Sequence, residues 1–148
     1  MPPAALLAFL REHRVAVEAS VTAAGAAQAA VVGFAVSDRF EIVFDTLGSS
    51  RKAGNLRANP AIALVIGGLL PGDVRTVQYE GVADEPEGAD RERLTAEYYA
   101  VYPDGRDRLS WPGLTYFRVR PQWIRYSDFG QPTPLIVEFA AGQLVLQS

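Results

Sequence analysis

"FDTLGSSRKAGNLRANPAIALVI" (Phe44–Ile66) runs from an apolar strand through a turn of small residues into a short helix, then into a second apolar strand. Ser49 or Ser50 is placed to cap that helix, because a serine hydroxyl accepts a hydrogen bond from a backbone N–H that the first turn leaves unpaired. Leu56 is the helix's one large apolar side chain and hence its anchor. The helix must stop before Pro60, since the residue preceding proline disfavours helical geometry. Charge is concentrated at the same junction. Lys52 is the one lysine among fourteen basic residues, it follows Arg51 directly, and no acidic residue occurs between Asp45 and Asp73. Cations in the first turn of a helix are unfavourable by about 0.3–1 kcal/mol each, unless an anion answers them. Two hydroxyls, a guanidinium and an ammonium at a helix N-terminus form the donor set of a phosphate site. The competing reading is a solvated cap whose charges answer Asp45 and acidic residues elsewhere.

The flanking sequence reads mainly as strand. "MPPAALLAFLREH" predicts a short amphipathic helix, and Val15–Val21 alternates as a strand does. Gln28–Val36 is rich in small and β-branched residues, as a strand buried on both faces would be. Phe40–Thr46 is a third strand, Ala61–Gly67 a fourth, and Asp73–Glu85 a fifth with a bulge or bend expected at Gly81. Residues 87–103 have helical spacing, with Leu94, Tyr98 and Val101 on one side. Residues 104–112 read as a loop, and residues 114–129 as a sixth strand, broken at Pro121. The last stretch, residues 134–148, reads as a terminal hairpin. Strands that follow one another with three short helices argue for a closed antiparallel barrel, not a doubly wound sheet. The chain is expected to form one domain, residues 1–148.

Composition narrows the function. A net charge of −3 argues against a general nucleic-acid or anionic-membrane binder. Arg118, Arg120 and Arg125 do interleave with Phe117, Trp123 and Tyr126, but alternation assigns arginines and apolar residues to opposite faces, as in any half-buried strand. With no cysteine and one histidine, His13, thiolate chemistry is excluded and an ordinary transition-metal site lacks ligands. The N-terminus has no positive charge before its apolar run, and "PAIALVIGGLLPG" is too short for a membrane span, so a soluble cytoplasmic protein is expected.

The quoted stretch, followed by "RTVQYEGVAD", resembles the flavin-binding core of the pyridoxamine 5′-phosphate oxidase-like family of split barrels. The resemblance covers roughly Gln28 to Tyr102, and "YFRVRPQWIRYSDF" is similar to the family's late barrel strand. It implies a mainly β fold, a six-stranded antiparallel split barrel with a few short helices, that dimerises with FMN at the subunit interface. On that resemblance Thr46, Ser49, Ser50, Arg51 and Lys52 hold the FMN phosphate, and Thr76 stands where the oxidase has a glutamine near the flavin. Tyr98 and Trp111 are candidates for a pocket that would place a small planar substrate over the flavin. The implied activity is FMN-dependent oxidation or reduction, with NAD(P)H or a small planar substrate. The alternatives are a flavin-binding stress or sensor protein without turnover, and a deazaflavin-dependent reductase. The oxidase proper differs. Its basic residues on the strand before the phosphate motif are Ala30 and Ala35 here, and Tyr102 and Arg106 replace two of its substrate-phosphate ligands. Turnover of pyridoxamine 5′-phosphate is therefore not expected.

Overall fold

A computed structural model describes residues 1–147. Helix α1 spans Pro3–Arg11, with Leu6, Leu7, Phe9 and Leu10 buried. Strands β1 (Val15–Val21), β2 (Ala27–Gly33), β3 (Ala35–Val36) and β4 (Ile42–Leu47) lead to α2 (Arg51–Ala58). Strands β5 (Ala61–Gly67) and β6 (Arg75–Asp84) precede α3 (Gly88–Val101) and a 3₁₀ segment, Pro103–Ser110. Strand β7 (Leu114–Asp128) and β8 (Leu135–Ala140) complete the sheet. No helix among the described residues is long and apolar enough to cross a membrane.

All pairings are antiparallel, in the order β2-β1-β5-β6-β7-β4-β3, with β8 added beside β7. The path begins on β2 and ends on β3, which Phe34 alone separates, so the sheet curls round through one bent strand. This is the expected split barrel, but with eight strands in place of six: the strand of Gln28–Val36 is divided at Phe34 into β2 and β3, and β8 is added beside β7. Phe34, Phe40, Phe44, Leu64, Ile66, Tyr79 and Phe117 are fully buried in one core. Tyr79 brings a polar group into it and donates its hydroxyl to the carbonyls of Phe40 (2.7 Å) and Val119 (3.0 Å).

Several expectations need correction. The strand at 114–129 is not broken at Pro121. A bulge sits beside Pro121 instead: Glu80 pairs with Trp123 and Gly81 with Pro121, so Gln122 is an extra residue of β7. It lies opposite the irregularity expected at Gly81, where an added Cβ would come 2.3 Å from the Arg120 carbonyl. Residues 103–110 form a 3₁₀ segment, not a loop. The terminal hairpin is one strand, β8, followed by a short 3₁₀ turn at Ala141–Gln143; its last residue, Ser148, lies outside the described residues.

The largest departure is at β1 and β2. In β1 the valine face (Val15, Val17, Val21, with Ala19) points away from the core, while Ala16, Glu18 and Ser20 point inward and are buried. In β2, read as buried on both faces, Val31 is 67% exposed. The register continues this outer face across Ala61, Ala63 and Val65 of β5. Thus three adjacent strands present a surface of alanine and valine that no element among the described residues covers.

Candidate functional site

Strand β4 carries Thr46 at its C-terminal end, in register with Thr115 of β7. The chain then turns tightly. Gly48 N–H donates to the Gly113 carbonyl (2.7 Å), and a Cβ on Gly48 would approach that oxygen to 3.2 Å, so a larger residue would have to push the turn apart by a few tenths of an ångström. Ser50 has the extended backbone of an N-cap, and its hydroxyl accepts from Ala53 N–H (3.2 Å). The same hydroxyl lies 2.9 Å from Thr46 Oγ1, which ties strand end to helix start. Of the two candidate caps, Ser50 takes the role and Ser49 stays exposed.

The charges around this turn are distributed unevenly. Asp45 is paired to Arg108 Nε at 2.6 Å, and Arg108 also donates to the Tyr98 hydroxyl (3.0 Å). Arg57 binds Glu85 through two nitrogens (2.6 and 3.0 Å) and the Gly48 carbonyl (3.0 Å), while Thr115 donates to Glu85 at 2.6 Å. The Arg57 hydrogen bonds hold the Glu85 carboxyl below the ordinary carboxylate range. Asp45 and Glu85, the acidic groups at this turn, are thus engaged with other arginines. Exposed Arg51 and half-buried Lys52 have no hydrogen bond or ion pair among the described residues. Asp45 is therefore not the group that answers Arg51 and Lys52. The junction combines a hydroxyl pair, a helix N-terminus and two unpaired cations, a donor set suited to a phosphate monoester.

Beneath α2 lies a polar layer that sequence reasoning missed. Asn55 donates to Ser20 Oγ (3.1 Å) and to Gln28 Oε1 (2.6 Å). Beside Ser20, on the same face of β1, Glu18 is wholly buried and both its carboxylate oxygens lack a hydrogen-bond partner. Burial raises its pKa, and the charge of Lys52 offsets part of that rise. Alternation in "VAVEASV" shows that Glu18 shares a face with Ala16 and Ser20. Nothing local says that this is the buried face.

The other candidates lie apart. Thr76, on β6, is in register with Gly67 and Ser127, and its strand partner β7 carries Thr115, the neighbour of Thr46, at the opposite end. Within one chain, Thr76 is not in the hydrogen-bonded cluster of Thr46 and Ser50. Instead it borders a shallow groove on the outer sheet face with Ala63, Val65 and Gln78. Tyr98 is buried in a second cluster with Ala35, Val43, Leu94 and Tyr116, and burial pushes its phenol well above the usual range. Trp111 is 52% exposed, so the structure does not bring it together with Tyr98 in a pocket. Of the two alanines at the oxidase's basic positions, Ala35 is buried, and Ala30 is in register with Glu18.

Comparison with known proteins agrees with this architecture. Residues 2–128 match the family described as pyridoxamine 5′-phosphate oxidase. The sequence matches no functionally curated protein. Among solved structures, the chain is similar to a heme binding protein from Mycobacterium smegmatis (TM-score 0.82, 18% identity), over 97% of this chain but only 60% of that one. It is also similar to the heme storage protein HutZ from Vibrio cholerae (TM-score 0.70, 17% identity, 95% of both chains). A putative pyridoxamine 5′-phosphate oxidase from Listeria innocua gives a TM-score of 0.68 at 23% identity, over 84% of this chain and 96% of that one. At these identities the likeness concerns the fold.

Proposed function

The chain belongs to the pyridoxamine 5′-phosphate oxidase family, and from that premise we propose that it is an FMN-binding flavoprotein, a homodimer acting as an FMN-dependent oxidoreductase. The single observation that carries the reading is the pair of cations, Arg51 and Lys52, at the capped start of α2, without a hydrogen bond or ion pair among the described residues, while Asp45 and Glu85 are engaged with other arginines. Thr46, Ser49 and Ser50 add hydroxyls on the same turn. A bound flavin would supply the hydride chemistry, so the protein need only bind it, orient it and shape access. That suits a chain with one histidine and no cysteine.

The homodimer rests on the outer face of β1, β2 and β5. Exposed Val15, Val31 and Val65 are flanked by alanines, a surface fit for sheet-against-sheet packing with a second copy. Thr76 borders that same face, which would bring it to the subunit interface. Ala30 and Ala35 support a substrate other than pyridoxamine 5′-phosphate, because neither offers a charge to a substrate phosphate.

A heme reading would rest on the names of structural neighbours. In this chain the one histidine, His13, has Nδ1 2.9 Å from the Phe9 carbonyl and Nε2 3.9 Å from Asp73. The deciding experiment titrates purified protein with FMN, riboflavin and hemin in parallel, followed visibly, and then adds NADH or NADPH without oxygen. FMN bound at least tenfold more tightly than riboflavin is the expected result, since the two differ only by the phosphate. Equal affinities would refute the phosphate site, and a Soret band without flavin binding would replace the reading with heme. Flavin that stays oxidised with either nicotinamide would reduce the function to flavin carriage or sensing.

A further inference from the structure

Glu18 is the buried group that nothing above uses. Its two oxygens are shielded from solvent and unpartnered, an arrangement that disfavours the charged form strongly unless a cation is near. The fold supplies one. Asn55 touches Ser20 at 3.1 Å, which fixes the helix over the strand. One helical step back along that face of α2 is Lys52, and one strand step back along that face of β1 is Glu18. The other elements against Glu18 add no charge. Its register partners are Ala30 of β2 and Leu64 of β5, and the side chains sharing their faces are Gln28, Val32, Ile62 and Ile66. Lys52 is the charged group acting on it, and the charge of Lys52 lowers a pKa that burial raises. Lys52 thus belongs to the anion-binding junction and also acts on a buried carboxyl.

We propose that anion binding at the junction is coupled to proton uptake by Glu18. An anion that engages Lys52 withdraws the one positive charge that supports the Glu18 carboxylate. A proton then passes from solvent to a Glu18 oxygen, one per anion bound at most, and the buried carboxyl becomes neutral. The sign follows from linkage. Because the anion-bound state holds more protons, affinity falls as pH rises through the interval between the two pKa values of Glu18, by at most about tenfold per pH unit. The protonated carboxyl also ceases to compete for Lys52, so Glu18 sets the pH range over which the site accepts an anion.

The inference rests on the junction being an anion site, and the test separates the two. Calorimetric titration with FMN, and separately with inorganic phosphate, is run between pH 6 and 9 in pairs of non-phosphate buffers of different ionisation enthalpy. The wild type is expected to take up a measurable fraction of a proton per anion above the range where phosphate itself titrates, and Glu18→Gln is expected to take up none. The infrared difference spectrum of the wild type on anion addition, which needs no variant, should gain the carbonyl stretch of a protonated carboxyl. Binding without proton uptake, or uptake that Glu18→Gln retains, overturns this coupling and leaves the anion site standing. Failure of both anions to bind overturns both.

Discussion

Arg51→Ala should change stability in opposite directions with and without ligand. Arg51 is exposed and unpartnered in the first turn of α2, and no acidic side chain follows in that turn to offset the dipole. Removing it from the unliganded protein should therefore stabilise the fold by about 0.3–1 kcal/mol, with a small further gain from the helix propensity of alanine. For a chain of this size that is a rise in Tm of roughly 1–4 °C. Binding should suffer instead. A charge-assisted hydrogen bond contributes about 1.5–3 kcal/mol, so FMN affinity should fall by roughly 10- to 150-fold. Urea denaturation of the apoprotein and a fluorescence titration with FMN measure the two effects separately. At saturating FMN the order of stabilities should reverse, with the wild type the more stable. An apoprotein destabilised by more than about 0.5 kcal/mol would show that Arg51 has a structural partner, and the argument from unpaired charge would fail.

Three further outcomes test the fold around the site. Arg118, buried against Asp84 (2.9 and 2.8 Å), Asp90 (3.2 Å) and buried Glu41 (3.4 Å), should cost about 3–5 kcal/mol when changed to methionine, because the carboxylates lose their shared cation. Burial raises the Glu41 pKa, but hydrogen bonds from Arg93 and Ser37 and the charges of Arg93 and Arg118 bring it below the ordinary value. Its contribution is thus present above the ordinary carboxylate range and lost as pH falls through the lowered value; denaturation followed from pH 7 down to about pH 3 should show a shallower acid loss in Arg118→Met. Val31→Lys, on the uncovered face, should leave the fold of the single chain within about 0.5 kcal/mol while halving the mass seen by light scattering; an unchanged mass would place the dimer contact elsewhere. Gly81→Ala must displace the Arg120 carbonyl or Val119 and should cost about 1–3 kcal/mol by thermal denaturation, whereas a neutral result would mean that the bulge relaxes freely.

Much of this was legible from residues alone, because the signals are local. A capping serine, a proline stop and a run of alternating apolar residues each act within a few positions, so α2 and the strands around it fall where the sequence predicts. The concentration of cations at Arg51 and Lys52 was equally plain. Their lack of partners was not. Asp45 is six residues from Arg51 in sequence, and only the fold carries Arg108, sixty-three positions away, to within 2.6 Å of it. Thr76 and Trp111 show the same limit, since distance along the chain says nothing about which strand end or surface they occupy.

The sharpest case is β1. Its sequence determined that the strand has two unlike faces, one of valines with Ala19 and one of Ala16, Glu18 and Ser20, because side chains alternate with period two. Which face turns inward is not contained in that pattern. Burial is set by what the rest of the chain packs against it, and here α2, β2 and β5 enclose the face with the glutamate, leaving the valines outside. The sequence by itself thus determined a barrel with a basic, hydroxyl-rich junction. The tertiary structure decided that this junction lies over a buried carboxyl and that the more apolar side of the sheet faces away from the chain's own core.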